Sequence, residues 1–187
     1  EYTDQQLSEV SNTTSLHTGI MTGESSVVYT YLLLYKMTGN PEFTAYAKKH
    51  MTILEKIWYM DINYDMLSGN AGLIIACMHM YEITGNMMYV TWAEDIAVWL
   101  LNKSVKQIQG IGWKIPECDY PLAGLAHGCS GFLMAFTRLY KVTKNLKWKN
   151  CIKEILAYEN SLFNAAYVNW NDLRNMSSLE SQEFYDF

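Results

Sequence analysis

The chain has 187 residues, of which 50% are hydrophobic and 18% are charged, so it can bury a sizeable core as one domain over 1–187. Its net charge is −5 and it has no run of Lys or Arg, which argues against a nucleic-acid backbone or an anionic membrane surface as partner. No apolar stretch approaches the roughly 20 residues that cross a bilayer, so no membrane span is expected.

The N-terminal segment and the cysteines indicate the setting of the chain. The first residue is Glu1 rather than Met, and the segment after it has neither the basic start nor the apolar core of a signal peptide, so we expect a piece of a longer protein. The cysteines lie far apart without paired spacing, which indicates reduced, buried thiols in a cytoplasm. They are Cys77, Cys118, Cys129 and Cys151.

Three segments of the chain align with one another, and each predicts a helix, a tight corner and a second helix. They begin at Gly23, Gly69 and Gly128, with Gly or Ser at the fourth position and Tyr at the thirteenth. The predicted helix pairs lie near 19–60, 65–102 and 124–160, and the predicted long loops are 103–123 and 160–187.

The corners between the paired helices have a common sequence in the first two copies, Thr-Gly-Asn. Gly39 and Gly85 suit the left-handed residue that ends a helix, and the Asn after each suits the cap of the next helix. The third copy has Lys144 in place of glycine, so its corner is expected to be less relaxed.

The two helices of each pair differ in their apolar pattern. The first helix of the second copy, "GLIIACMHMY", is apolar almost all round, which favours a helix enclosed by others. The second helices carry one apolar stripe each, as in Tyr89, Trp92, Ala93, Ile96, Ala97 and Leu100. Inner buried helices backed by outer amphipathic ones predict an all-α fold, an α/α toroid or solenoid.

The glycine that opens each inner helix admits two interpretations. It lets backbone approach backbone, and it leaves N–H groups pointing into the space that the ring encloses, which suits a ligand. At Gly23 and Gly69 the favoured interpretation is tight packing alone.

Polar residues present in only one copy require a separate explanation. Thr22, Ser68 and His127 stand immediately before the motif glycines. The two hydroxyls are expected to be helix N-caps, whereas an imidazole can move a proton near neutral pH. Asp65, three residues before Ser68, can orient or charge-stabilise that imidazole across the ring. Structural roles remain as alternatives, a cap or core residue for His127 and a helix-start acid for Asp65.

The two long stretches without helical periodicity are typical of functional segments. They supply five candidates for lining a site, Trp113, Tyr120, Trp170, Asp172 and Arg174. A zinc site of Cys118, His127 and Cys129 is disfavoured, because their spacing matches none of the usual ligand pairs. The remaining histidines, His17, His50 and His79, are expected to be structural.

Several motifs together resemble the cyclase domain of class II lanthipeptide (lantibiotic) synthetases, the LanM enzymes. The most specific are "GWKIPECDYPLAGLAHGCSGFLMAFTRLYKVT" and "AYENSLFNAAYVNWNDLR". They are preceded, in the same order as in that domain, by "GESSVVYTYL" and "YDMLSGNAGLI". The resemblance covers nearly the whole chain from about Thr18.

The resemblance implies a zinc enzyme with a LanC-like α/α toroid, of which this chain is one partial domain. Such an enzyme closes lanthionine and methyllanthionine thioether rings by adding a peptide Cys thiolate to dehydroalanine or dehydrobutyrine. Its partner is a precursor peptide with a leader and a dehydrated core. The family's zinc ligands, in a Trp-Cys-(His/Tyr)-Gly motif and a later Cys-His pair, are expected C-terminal to Phe187. We therefore expect no metal ligand, no bound zinc and no cyclase activity from these residues alone.

Site residues also follow from the resemblance. His127 matches the family's active-site histidine, a proposed acid or base, and Asp65 matches its active-site aspartate. The tail motif, with a supporting role, is matched by Asn169, Trp170, Asp172 and Arg174. An interrupted ring leaves apolar helix faces uncovered, so self-association is also expected.

Two other functions remain as alternatives. One is an α/α-toroid enzyme that acts on carbohydrate, with Asp65 and Asp119 as acid and base and the tryptophans as sugar platforms. The other is a non-catalytic peptide-binding or LanC-like scaffold module, in which His127 is only a cap.

Overall fold

A computed structural model describes residues 17–116 and 118–174 of the chain. In these residues the helices come in three consecutive pairs, one pair in each of the aligned segments. They are α1 (Glu24–Thr38), α2 (Glu42–Ile57), α3 (Asn70–Thr84), α4 (Met88–Lys103), α5 (Cys129–Thr143) and α6 (Leu146–Ser161). A 3-10 turn (Trp58–Met60) follows α2. The part of the predicted loop 160–187 after position 174 lies outside the described residues.

Two short antiparallel hairpins lie in the stretches that lack helical periodicity. β1 (Val105–Lys106) pairs with β2 (Ile111–Gly112), and β3 (Phe163–Asn164) pairs with β4 (Asn169–Trp170). Strands of two residues are too short to show the alternation by which a strand is recognised, so the sequence predicted only loops here.

The helices form an arc with inner and outer layers. α3 packs against α1 on one side and α5 on the other, and each of these inner helices packs against the helix that follows it. α3 is buried at every position from Asn70 to Met80. Its outer partner α4 buries one face, at Tyr89, Val90, Ala93, Ile96, Ala97 and Leu100. The predicted all-α fold with inner and outer helices is confirmed.

The corners between paired helices share one geometry. Gly39, Gly85 and Lys144 all adopt the left-handed conformation, with φ of 71°, 68° and 55°. The Asn that follows each of them accepts a hydrogen bond from the backbone N–H two residues later, at 3.0 Å in every copy. Because Lys144 carries a side chain, its conformation costs about 1 kcal/mol that glycine avoids. The third corner is therefore strained, as its sequence predicted.

In the part of the chain that the structure describes, no helix is both long and apolar enough to cross a bilayer.

Candidate functional site

Each inner helix is preceded by a loop of seven residues with a common backbone arrangement. We call 17–23, 63–69 and 122–128 loop 1, loop 2 and loop 3. In all three, the first N–H of the helix donates to the carbonyl of the first loop residue, at 2.8 to 3.2 Å. These bonds run from Glu24 to His17, from Asn70 to Asn63 and from Cys129 to Leu122. The N–H groups are thus bonded within the loops, which corrects the expectation that they point into an enclosed space.

The glycine at the end of each loop is required by close backbone approach. A Cβ added at Gly23, Gly69 or Gly128 would lie within 2.4 Å of a backbone atom of its own loop. Real Cβ atoms do not come so close, so any side chain there would push the loop away from the helix. The tight-packing interpretation of these glycines is the one that the geometry supports.

The hydroxyls before the glycines do not cap the helices. The N-cap residues are Gly23, Gly69 and Gly128 themselves, without a side-chain cap bond. Thr22 instead donates to the Leu67 carbonyl at 3.3 Å, and the Ser68 hydroxyl donates to Asp65 at 3.1 Å. The predicted caps were wrong because the loop carbonyls already occupy the first helical N–H groups.

The three loops lie side by side and are joined through their backbones. The N–H groups of Gly19 and Ile20 in loop 1 donate to the carbonyls of Ser68 and Met66 in loop 2, at 2.9 and 3.1 Å. The N–H of Leu67 in loop 2 in turn donates to the Ala126 carbonyl in loop 3, at 3.1 Å. Side chains that differ between the copies are thereby brought to neighbouring positions.

His127 and Asp65 meet across the junction of loops 2 and 3. His127 Nδ1 lies 2.8 Å from Asp65 Oδ2, and the two side chains are 43% and 3% exposed. Asp65 Oδ1 accepts from the backbone N–H of Ser68 at 2.8 Å. Because a carboxylate only accepts hydrogen bonds, this contact assigns the proton of the neutral imidazole to Nδ1 and its lone pair to Nε2. A buried carboxylate therefore orients a half-exposed imidazole.

A cavity of about 630 Å³ opens beside His127. Its walls are loop 3, the start of α5, the end of α6 and the β3–β4 hairpin with the residues that follow it. The candidates from the tail motif that line it are Asn169, Trp170, Asp172 and Arg174. Arg174 pairs with Asp172, with its Nε 2.9 Å from both carboxylate oxygens, and this contact lowers the pKa of Asp172. The tail therefore places an aromatic ring and an ion pair on the wall of the cavity that His127 also lines.

Two of the predicted lining residues lie elsewhere. Trp113 is 2% exposed, and its ring stacks on Phe132 with 4.0 Å between the centroids while its Nε1 donates to the Leu100 carbonyl. It fills the core between α4 and α5, where burial of a large ring and one satisfied N–H are both favourable. Tyr120 is 39% exposed and does not line the cavity. Neither residue lines the cavity beside His127.

Glu159 lines the cavity and was missed by the sequence-based candidates. It is 5% exposed, and its Oε1 accepts from the Gly124 N–H at 3.0 Å and from the Ser130 hydroxyl at 2.5 Å. A signal was available, since Glu159 comes four residues after Ile155 on the apolar stripe of α6. A carboxylate at a position where the helical period calls for an apolar side chain marks a buried charge with dedicated partners.

The described residues do not form a metal site. Among 17–116 and 118–174, no three His, Cys, Asp or Glu side chains are grouped so that they could hold an ion. Cys129 is buried at the start of α5, and burial, with a smaller effect from the charge of Glu159, raises the pKa of its thiol to about 12. Cys118 belongs to a separate small apolar cluster with Leu122 and Leu173. The sequence had disfavoured a zinc site built from these cysteines and His127.

The other histidines have structural partners. His50 Nδ1 lies 2.5 Å from Glu24 Oε1, and His17 Nδ1 lies 2.8 Å from the Asn63 side-chain amide. His79 lies 3.1 Å from Glu82, and burial, followed by the positive charge of Arg138, lowers its pKa. None of the three lines the cavity: His50 and His79 lie on helices, and His17 joins loop 1 to loop 2.

Comparison with known proteins identifies the family. The model of the lanthionine synthetase C-like protein family matches residues 1–183. The chain therefore belongs to the lanthionine synthetase C-like family. A stretch of 120 residues is 31% identical to the lacticin 481/lactococcin biosynthesis protein LcnDR2 of Lactococcus lactis subsp. lactis, over 64% of this chain and 11% of that protein. The family match confirms the LanC-like domain that the sequence motifs resemble.

A solved structure supports the fold. The crystal structure of a sugar epimerase from a ruminal bacterium superposes with a TM-score of 0.57 and 14% sequence identity, over 77% of this chain and 44% of that chain. At this identity the likeness concerns the helical architecture alone. The chain spans less than half the length of the epimerase and about a tenth of the length of LcnDR2.

Proposed function

We propose that this domain closes lanthionine and methyllanthionine rings in a dehydrated precursor peptide, with His127 as the acid and base and Asp65 as the residue that orients it. The observation that carries the proposal is the 2.8 Å contact between His127 and Asp65 at the edge of a cavity. Membership of the lanthionine synthetase C-like family and the likeness to a lacticin 481 biosynthesis protein support the substrate class.

The reaction needs one proton to be removed and one to be added. The peptide thiol loses its proton, its sulfur bonds to the β-carbon of dehydroalanine or dehydrobutyrine, and the electron pair of the broken π bond passes to the enolate. Protonation at the α-carbon completes the ring without a change in mass. His127 Nε2 accepts the thiol proton and returns a proton to the α-carbon, while Asp65 stabilises the imidazolium between the two steps.

The cavity has features that suit a peptide. Three amide side chains, those of Asn164, Asn169 and Asn171, line it and offer donors and acceptors to a peptide backbone. Trp170 is 45% exposed beside them and offers an apolar surface for a substrate side chain. The carbohydrate alternative has less support, because Asp65 is engaged by His127 and Ser68, and Asp119 does not line the cavity.

Zinc is implied by the family resemblance but does not fit the described residues. The histidine and carboxylate of the site bind one another, and no third ligand is grouped with them in the described part of the chain. We therefore assign no step to a metal on these residues. A cytoplasmic location belongs to the same proposal, and it agrees with the four cysteines, which form no disulfide in the described part of the chain.

The test uses the protein at its natural length and a precursor peptide that has already been dehydrated. Thiol consumption at constant peptide mass is measured for the parent, for His127→Ala, and for His50→Ala as a histidine control away from the cavity. Loss of an acid–base residue lowers the rate by roughly 10²- to 10⁴-fold. We expect this for His127→Ala alone. A normal rate and ring pattern in that variant would rule out the role of His127, and peptide binding without thiol loss in the parent would favour a scaffold module.

A further inference from the structure

We propose that Glu159 is a positioning residue that clamps loop 3, so that the His127 imidazole is held in register with Asp65. The inference deepens the proposed function and names a residue that the reaction needs without touching the reacting atoms. Three observations carry it: the partners of Glu159, the matching contact at Tyr158, and the different arrangement of the corresponding serine at loop 1.

The partners of Glu159 belong to two different elements. Oε1 accepts from the backbone N–H of Gly124 in loop 3, at 3.0 Å, and from the hydroxyl of Ser130 in the first turn of α5, at 2.5 Å. Gly124 has a φ of +96°. Among the described residues, no hydrogen bond joins Gly124 or Ser130 directly to Asp65 or His127, so Glu159 is their link to this part of the site. A carboxylate that is 5% exposed is stable only with such donors, so the three groups are fixed relative to one another.

Tyr158, the residue before Glu159, binds the chain at the start of the same loop. The Tyr158 hydroxyl donates to the carbonyl of Pro121, immediately before loop 3, at 2.7 Å. The end of α6 therefore binds the chain at two points, Pro121 just before loop 3 and Gly124 within it. At its far end the loop is fixed to loop 2 through the Ala126 carbonyl and through His127 itself. His127 is thus carried on a short segment that is anchored at both ends.

Loop 1 shows what this position does without a carboxylate. Ser25 and Ser130 both lie two residues after their motif glycines. Ser25 donates directly to the Thr18 carbonyl of its own loop, at 2.5 Å, and so closes the loop onto the helix. At loop 3 the carboxylate of Glu159 stands between serine and loop, and it lines the cavity beside His127. Glu159 thus joins loop 3 to α5 next to the cavity, whereas in loop 1 the serine makes that contact directly.

The experiment compares three substitutions on α6 in the protein at its natural length. Glu159→Ala removes the acceptor, Glu159→Gln keeps an acceptor oxygen without the charge, and Glu154→Ala is the control, since Glu154 is exposed on the same helix. Two quantities are measured: kcat and KM for thiol consumption, and the neutral tautomer of His127 from its ring ¹⁵N shifts.

We expect Glu159→Ala to lower kcat on the order of 10²-fold, as a displaced catalytic group does, and to mix the tautomers of His127. Glu159→Gln should restore both values close to those of the parent, and Glu154→Ala should leave both unchanged. If Glu159→Ala fails to fold, Ser130→Ala, which removes one of the two donors, should show the same two changes to a smaller extent.

Two results would overturn the inference. An inactive Glu159→Gln with an unchanged His127 tautomer would make Glu159 a proton-transfer group, and a Glu159→Ala protein with parental kcat and tautomer would leave it without a role. The proposed function fails separately. If His127→Ala keeps full activity while Glu159→Ala still mixes the tautomers, the clamp stands and the catalytic role of His127 does not.

Discussion

Loops 1 and 3 follow the same backbone arrangement and present different side chains. In both, the first N–H of the helix donates to the carbonyl of the first loop residue, and the last loop residue is a glycine with no space for a side chain. In loop 1 the side chain before the glycine is Thr22, which donates to the Leu67 carbonyl of loop 2. In loop 3 the side chain before the glycine is His127, beside a cavity. Glycines and backbone bonds set the shape of these loops, so the copies can present different side chains at equivalent positions.

The comparison fails if the two loops do not depend equally on their glycines. A Cβ at Gly128 would lie 2.2 Å from the Ala123 carbonyl oxygen, and one at Gly23 would lie 2.4 Å from the Gly19 nitrogen. Since backbone cannot yield cheaply, Gly128→Ala and Gly23→Ala should each lower the free energy of unfolding by about 3 kcal/mol. Denaturant titration measures both. A variant with parental stability would show that its loop is held in some other way.

The third corner offers a smaller effect of opposite sign. Lys144 adopts φ of 55°, where the first two copies have glycine. Lys144→Gly should raise the free energy of unfolding, because removal of about 1 kcal/mol of backbone strain exceeds the added entropy of the unfolded chain. Gly85→Ala, the reverse change in the second copy, should destabilise by a similar amount. The melting temperature should therefore rise for Lys144→Gly and fall for Gly85→Ala. Shifts of both variants in the same direction would contradict this account of the corner.

The first residue of α5 is Cys129, where α1 has Glu24. The pH dependence that its buried thiol adds to stability is the smallest of the expected effects. Burial raises the pKa of Cys129, and also of Cys151, to about 12 from a usual 9.0. These thiols stay protonated in the fold at neutral pH, and their contribution to stability is lost as the pH rises from about 9 toward 12. Iodoacetamide labelling followed by mass spectrometry should be slow at Cys129 until denaturant is added. Equally fast labelling of the native chain would refute its burial.

Much of this arrangement could be predicted because the chain contains three copies of one unit, which can be compared with one another. Aligning the copies separated shared glycines from single polar residues, and the two residues it singled out, His127 and Asp65, are in contact. The fate of Trp113 could not be predicted, since it depends on a gap between α4 and α5 that no local pattern encodes. The β3–β4 hairpin was missed for a similar reason, because its strands have only two residues each.

Glu159 represents a third case. Its position on the apolar stripe of α6 was visible in the sequence, but its partners lie 29 and 35 residues away along the chain. A helical period indicates which face of a helix is buried, whereas only the packed structure shows which donors meet a charge on that face.

The central claim is that His127 and Asp65 act as one unit in ring closure, and a double-mutant cycle tests it most directly. The rate of thiol consumption would be measured for the parent, His127→Ala, Asp65→Asn and the double variant, each at natural length. Residues that act as a unit have strongly non-additive effects. The account predicts that the double variant is no slower than His127→Ala alone. Rate losses that multiply would contradict it, because the two residues would then act independently.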